Sequence, residues 1–390
     1  MKNDTTFDYK PVYDHTPVYD GQTPPENLKS TTTLSTIKKV AVAFLIGRFQ
    51  PFHNGHKHLI DFGLKYAEKV VVLVGSSNKA RSLKNPWTYA ERKAMIEATF
   101  RDDQYLQPPD DNPSKYSWSK KVVVEPLPDV KGNDDAWLAN VQNAIWKHMD
   151  EGDSLGVIGF KKDTSSYYLD LFPEATKIIL EKAYATLNAT ELRAAYIQPA
   201  PHFPSHLVPE AVLDYMVEFY NTEHFKWLLA EKKADTENRA KYGNGPFLTC
   251  DAVCTQMGKV LLVERGGFPG KGQLALPGGF VEADKGDSFE NVLHELSEEA
   301  NVTDERGTIP RGKLRGFYTG REKRYDDPDR STRGHTLTTA FRFKFPSGPK
   351  MFTVYGGDDA KTARWYPINF VKENPDLFFE DHYEIITEML

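Results

Sequence analysis

Between residues 40 and 180, short stretches that are apolar throughout alternate with helical patterns. The stretches at 40–46, 70–74, 122–124, 155–158 and 178–180 carry Val, Ile, Leu, Phe, Ala and Gly with no polar position. Between them, 55–68, 89–100 and 136–149 place apolar residues at helical spacing. A strand that faces water on one side alternates apolar with polar residues. A strand apolar at every position is covered on both faces, which is the setting of a parallel sheet with helices packed on either side. The pattern therefore predicts one α/β domain over about 37–200, its strands joined by right-handed crossovers.

The remainder divides by texture. Residues 1–36 hold Pro11, Pro17, Pro24 and Pro25, a Ser/Thr cluster and few aliphatic residues. So little apolar surface cannot offset the entropy of ordering, which predicts a flexible N-terminal tail. Pro-Val-Tyr-Asp occurs twice there, at 11–14 and 17–20, and a docking motif is the alternative reading. Pro199, Pro201, Pro204 and Pro209 mark a boundary, and 210–237 reads as a helical segment closing the first domain. Residues 238–390 have a looser α+β texture, with a strand at 260–263, a helix at 289–300 and a half-buried strand at 336–345.

Composition narrows the function classes. A net charge of −6 over 390 residues excludes a broadly basic protein that wraps nucleic acid. The longest apolar run is far short of the ~20 residues of a membrane span, and the first residues lack an apolar signal core. A cytoplasmic protein with no membrane or nucleic-acid partner is the expectation. Cys250 and Cys254 form no disulfide framework or four-cysteine metal site and read as core beside a strand.

The first chemical signal lies where the first strand enters the first helix, at Gly47-Arg48-Phe49-Gln50-Pro51-Phe52-His53-Asn54-Gly55-His56. Ligands of open α/β sheets collect at the carboxyl ends of strands, and a helix N-terminus there offers unpaired N–H groups to phosphate. Gly47 permits close backbone approach, and His53 and His56 supply donors three residues apart. Two histidines without a nearby carboxylate or thiolate make a poor metal site. The segment resembles the signature of the nucleotidylyltransferase superfamily. Leu187-Asn188-Ala189-Thr190-Glu191-Leu192-Arg193 resembles the later motif of that family, in which Ser/Thr and Arg grip the triphosphate. The segment 159–168 and Asn85-Pro86-Trp87-Thr88 resemble the nicotinamide mononucleotide (NMN) adenylyltransferases. The resemblance implies a Rossmann-like nucleotidylyltransferase domain and adenylyl transfer from ATP to NMN. His53, His56, Lys161 and Arg193 are then the catalytic candidates, and Gly47, Arg48, Phe49 and Thr190 the binding candidates. Trp87 and Trp137 are candidates for stacking on nicotinamide, with core packing the alternative for each.

The second signal is Leu276-Pro277-Gly278-Gly279-Phe280-Val281-Glu282 followed by His294-Glu295-Leu296-Ser297-Glu298-Glu299. Glu295, Glu298 and Glu299 share one helix face. Like charges so placed repel unless a divalent cation lies among them, and oxygen ligands suit Mg²⁺ or Mn²⁺. A solvated acidic face is the alternative. Together the two pieces resemble the Nudix box. Thr249–Val253, 327–334, with Arg330 and Arg333 as substrate contacts, 357–360 and 379–382 extend the resemblance to the Nudix half of bifunctional NMN adenylyltransferase/ADP-ribose pyrophosphatases. The implied metal ligands are Glu295, Glu298 and Glu299, the last two also catalytic, and the implied substrate is ADP-ribose. This chain departs from the box in three places. His294 stands for arginine and Asn301 for glycine, and the loop is one residue longer, which puts Lys285 where the family has glutamate. Glu282, Asp284 and Asp287 are the neighbouring carboxylates open to that role. A Nudix domain that senses ADP-ribose or NAD⁺ without hydrolysing it is the competing reading. Nicotinate mononucleotide or phosphopantetheine is an alternative acceptor for the first domain.

Overall fold

The computed structural model describes residues 38–101, 121–130, 133–160, 164–180, 187–201, 203–357 and 360–390. The N-terminal tail expected over 1–36 lies outside them. The chain forms two compact units. One joins the described residues up to Ser77 with Tyr89–Phe225, and the other joins Asn78–Thr88 with Lys226–Leu390.

The first unit is built on a five-stranded parallel sheet. Its strands are β1 (Val40–Gly47), β2 (Ala67–Val74), β3 (Val122–Pro126), β4 (Leu155–Phe160) and β5 (Thr176–Leu180), in the order β3-β2-β1-β4-β5. Every neighbouring pair is parallel. The chain reverses its direction of travel across the sheet between β1 and β4, so a crevice opens at the carboxyl ends of these strands. Val42, Phe44, Val71, Leu73 and Val157 are buried on one face, against Val141, Ala144 and Ile145 of α3 (Asp134–Trp146). Helix α1 (Asn54–Gly63) connects β1 to β2, and α2 (Tyr89–Arg101) precedes β3. The helix expected over 55–68 stops at Gly63, where a Cβ would meet the Ile158 side chain at 2.2 Å. Ala67 and Glu68 already pair in β2. Helix α4 (Ala189–Tyr196) and helix α5 (Glu210–Tyr220) complete this unit. The single helix expected over 210–237 is two, since α6 (Glu223–Tyr242) begins anew after a break at Asn221 and Thr222.

The second unit holds a sheet with the backbone order β12-β13-β6-β7-β14 and two short strands attached. Here β6 is Phe247–Gln256, β7 Lys259–Arg265, β8 Leu274–Ala275 and β9 Gly278–Phe280. Helix α7 (Ser288–Ala300) packs Val292, Leu293 and Leu296 on Cys250, Ala252 and Leu261. After it come β10 (Thr303–Asp304), β11 (Gly307–Thr308), α8 (Arg311–Arg315), β12 (Tyr318–Tyr325), β13 (Thr336–Lys344), β14 (Ala360–Pro367), α9 (Ile368–Glu373) and α10 (His382–Met389). Both cysteines are free and fully buried in this core, and burial pushes both thiols well up. Among the described residues, no helix is long and apolar enough to cross a membrane.

Candidate active sites

The loop between β1 and α1 builds the first site. His53 is the N-cap of α1, and the two histidines cap the helix reciprocally. The Nδ1 of His53 accepts from the His56 amide at 3.4 Å, and the Nδ1 of His56 accepts from the His53 amide at 3.3 Å. Their rings stack at 3.6 Å. With both Nδ1 atoms accepting from backbone amides, the ring proton of a neutral imidazole here belongs on Nε2. Burial, and then the neighbouring His53, hold the pKa of His56 well below the usual imidazole range. His56 thus acts as a neutral donor and needs no proton from solvent at neutral pH.

Aromatic packing fixes this pair. Phe49 meets His56 edge-on at 4.8 Å, and Phe52 stacks on it at 5.7 Å. Phe49, a binding candidate, has its side chain buried in this packing. A Cβ on Gly47 would lie 2.8 Å from the Phe49 ring. Glycine at 47 therefore makes room for that ring.

Arg193, on α4, donates through Nη1 to the Gln50 carbonyl at 2.8 Å and through Nη2 to Thr190 Oγ1 at 3.3 Å. Burial, and then Arg48, lower its guanidinium to about 10. Arg48 is exposed at the end of β1, close enough to Arg193 for the two guanidiniums to interact. Thr190, a binding candidate, does not cap α4. Asn188 is the N-cap instead, its side chain accepting from the Thr190 amide at 2.9 Å, and the Thr190 hydroxyl is committed to Arg193. Trp87 is fully buried in the second unit, and its indole offers no face for stacking. Trp137 is half-buried against the core under α3. Packing is what the structure gives both tryptophans. Lys161 lies outside the described residues.

The second site surrounds the Gly278-Gly279 turn. Glu299 is buried, and its Oε2 accepts from the Gly278 amide at 2.9 Å. Burial first, then Glu295 and Asp251, push its carboxyl up to about 8, against the lowering effects of the Gly278 amide and Arg265. The Glu295 carboxyl lies against Gly279, where a Cβ would stand 2.8 Å from Oε1. The motif therefore needs glycine at 279 to admit that carboxylate. Glu298 turns away, its Oε1 paired with His294 Nε2 at 2.9 Å.

Among the described residues, no three carboxylates stand at ligand spacing. The donor chemistry nevertheless fits a divalent cation. Two acids press together beside Asp251 at a cost in ionisation that a hard cation would relieve, and Glu298 follows Glu295 by three residues on the same helix. Of the three neighbouring carboxylates, Asp287 caps α7 through the Phe289 and Glu290 amides, and Glu282 pairs with Lys285 at 3.2 Å. Asp284 is exposed.

Arg330 and Arg333 part company. Arg330 is buried and forks onto Asp381 through Nε and Nη2 at 3.0 and 2.7 Å, so it pins two loops together, while its Nη1 has no hydrogen-bond partner among the described residues. Arg333 pairs with Glu380 at 3.1 Å and lies over the half-exposed Phe280 ring at 5.6 Å, open to a ligand. Three further residues had not been singled out in the sequence. Asp251 accepts from the Thr338 hydroxyl, and His382 accepts from the Leu276 amide at 2.9 Å, so both brace the turn. Arg92 lies among Met95, Ile96, Thr99 and Phe100 on the buried side of α2. An arginine on an apolar helical stripe was the legible signal there.

Comparison with known proteins finds a family match on each unit. Residues 44–190 match the Cytidylyltransferase-like family and 248–389 the NUDIX domain. The chain is 32% identical over 194 residues to a nicotinamide/nicotinic acid mononucleotide adenylyltransferase of Acinetobacter baylyi, covering 50% of this chain and 94% of that protein. It is 35% identical over 161 residues to an ADP-ribose pyrophosphatase of Methanocaldococcus jannaschii, covering 41% and 81%. A bifunctional NMN adenylyltransferase/ADP-ribose pyrophosphatase from Francisella tularensis superposes with a TM-score of 0.77 at 30% identity, over 90% of this chain and 98% of that one. The same Francisella protein has been crystallised with AMP and a manganese ion, at 29% identity to this chain. With one family model on each unit and a relative matched along nearly its whole length, the chain belongs to the bifunctional NMN adenylyltransferase/ADP-ribose pyrophosphatase family.

Proposed function

We propose that the chain makes NAD⁺ from ATP and NMN in its first unit and hydrolyses ADP-ribose in its second. The reciprocally capped histidine pair carries the first half of this reading. In adenylyl transfer a 5′-phosphate oxygen of NMN bonds to the α-phosphorus of ATP, the bond from that phosphorus to the bridging oxygen breaks, and pyrophosphate leaves. No covalent enzyme intermediate is needed, so the protein contributes position and charge. The Nε2–H groups of His53 and His56 donate to the triphosphate, and Arg48 offers an exposed cation. Arg193 holds the loop that carries both histidines and Thr190 beside it, with Lys161 a further candidate clamp. Mg²⁺ or Mn²⁺ supplies charge neutralisation when bound.

The Glu295–Glu299 pair at the glycine turn carries the second half. Water adds to one phosphorus of ADP-ribose, the phosphorus–oxygen bond of the bridge breaks, and AMP and ribose 5-phosphate leave with release of a proton. Glu295, Glu298 and Glu299 would hold Mg²⁺ or Mn²⁺, which acidifies water and polarises the diphosphate. Arg333 beside Phe280 is the proposed substrate contact. A cytoplasmic setting accords with these substrates.

Purified protein incubated with ADP-ribose and Mn²⁺ is expected to release AMP, and Glu298→Gln/Glu299→Gln is expected to abolish that release while NAD⁺ formation persists. Wild-type protein that binds ADP-ribose, changes its NAD⁺ rate and releases no AMP would instead make the second unit a sensor.

A further inference from the structure

Two residues of the first unit other than glycine adopt left-handed backbone at the carboxyl ends of neighbouring strands. Phe49, just past β1, has a φ of 52°, and Ser76, just past β2, has a φ of 50°. Such conformations are sparsely populated for residues with a side chain and persist where their surroundings over-determine them. The surroundings here converge on one buried guanidinium. Arg92 Nη1 donates to the Arg48 carbonyl and to the Gly75 carbonyl, each at 2.7 Å, and Nη2 donates to the Ser76 carbonyl at 3.1 Å. The Ser76 amide donates to Asp129 Oδ1 at 3.2 Å, so the second turn is held at both its amide and its carbonyl. The Gly75 amide donates to the Gly47 carbonyl at 2.9 Å, which extends the join between β1 and β2 by one residue.

A buried charge is costly, and an apolar residue would fill the same space on α2 more cheaply. The side chain also serves no single element: it ties two strand ends to a helix that follows both. Planar fork geometry lets one guanidinium satisfy three carbonyls, which an ammonium on a flexible stem does poorly. Two residues beyond the Arg48 carbonyl, Arg193 takes the Gln50 carbonyl from the other side. The loop that delivers His53 and His56 therefore hangs between two buried arginines, with the exposed Arg48 side chain at one of the anchored residues.

We propose that Arg92 is a positioning residue for adenylyl transfer, one that sets the paired left-handed turns at the ends of β1 and β2 and, through them, the placement of Arg48 and the histidine pair. The inference rests on the reading of the first unit as an NMN adenylyltransferase. The groups that Arg92 holds at these turns are the backbone carbonyls of Arg48, Gly75 and Ser76, so it acts on the turnover rate more than on substrate capture. A displacement of ~1 Å in such a site costs on the order of 100-fold in rate.

The test uses the full chain, with steady-state NAD⁺ formation from ATP, NMN and Mg²⁺ and the folded fraction of each variant taken from circular dichroism and urea unfolding. Arg92→Lys is expected to lower kcat per folded molecule by about 10-fold and Arg92→Met by about 100-fold, with each KM within about 3-fold of the wild type. Arg92→Lys with wild-type kcat and KM would overturn the proposal. So would an Arg92→Met loss that vanishes once rates are divided by folded fraction, or a rise in KM with kcat unchanged. If Arg92→Met does not fold, Arg92→Lys decides. Wild-type protein that forms no NAD⁺ would sink the adenylyltransferase reading itself, which is a different result from an active wild type with an indifferent Arg92→Lys.

Discussion

Glu231 shows what a single buried acid does to this chain. It sits on α6 with its carboxylate accepting from the Gly270 amide, at 3.0 Å for the nearer oxygen. Burial pushes it up to about 7; the Gly270 amide and Arg265 pull it down, while Glu380 and Asp235 push it further up. A folded pKa above the unfolded one means that stability is whole below the unfolded value near 4.5 and is lost as pH rises through about 7. A shift of this size is worth about 3 kcal/mol. Glu231→Gln is therefore expected to stabilise the second unit by an amount of that order at pH 8 and by little at pH 4.5, measured by urea unfolding at the two pH values. His294 is the second residue whose effect is local. Its Nε2 holds one oxygen of Glu298 at 2.9 Å. His294→Ala is expected to weaken Mn²⁺ binding about 10-fold, as loss of a ligand's orienting partner does, and His294→Arg to preserve it. Electron paramagnetic resonance of free Mn²⁺ reads both without any turnover.

Among the elements, the turn into α7 accommodates the extra residue of the box. Asn291 is fully buried there. Its oxygen accepts from the Glu282 amide at 2.9 Å, and its amide group donates to the carbonyls of Glu282, Gly286 and Asp287. One side chain thus replaces the regular backbone pairing that a longer loop forfeits. Asn291→Ala is expected to cost about 2–3 kcal/mol by leaving several of these groups unpaired, visible in urea unfolding followed through the second unit. The parallel sheet was legible because apolar strands announce burial on both faces, and the glycine turn because its partners follow at helical spacing. The end of α1 was not, because Gly63 halts it through contact with Ile158, a residue 95 positions further along the chain. Nor were the two left-handed turns, since neither Phe49 nor Ser76 is a residue type that signals them. The burial of Phe49 and Arg330 was illegible for one shared reason. Motif position says that a side chain is near the chemistry; only packing says whether it faces the ligand or the core.

At the scale of the molecule, each unit has its own apolar core and its own reaction, so a single unfolding temperature does not describe the chain. Phe44 packs edge-on against Phe172 in the first core, and Phe343 is buried with Phe289 in the second. Phe44→Leu is expected to lower the temperature at which NAD⁺ formation is lost by several degrees with ADP-ribose hydrolysis unmoved, and Phe343→Leu to do the reverse, because distant sites add independently. The units are nevertheless not two beads on a string. The segment Asn78–Thr88 belongs to the second unit although it lies between strands of the first in sequence. Its Lys79 pairs with Glu384, 305 residues later, and the Arg81 carbonyl accepts from Gln273 at 2.8 Å. Synthesis at ~5–20 residues per second separates Lys79 from Glu384 by roughly 15 to 60 s. During that interval the first sheet is already able to close while the eleven residues looped out of it wait for partners still to be translated. For that interval the nascent chain carries Lys79 and the Arg81 carbonyl without the Glu384 and Gln273 groups that hold them in the finished fold.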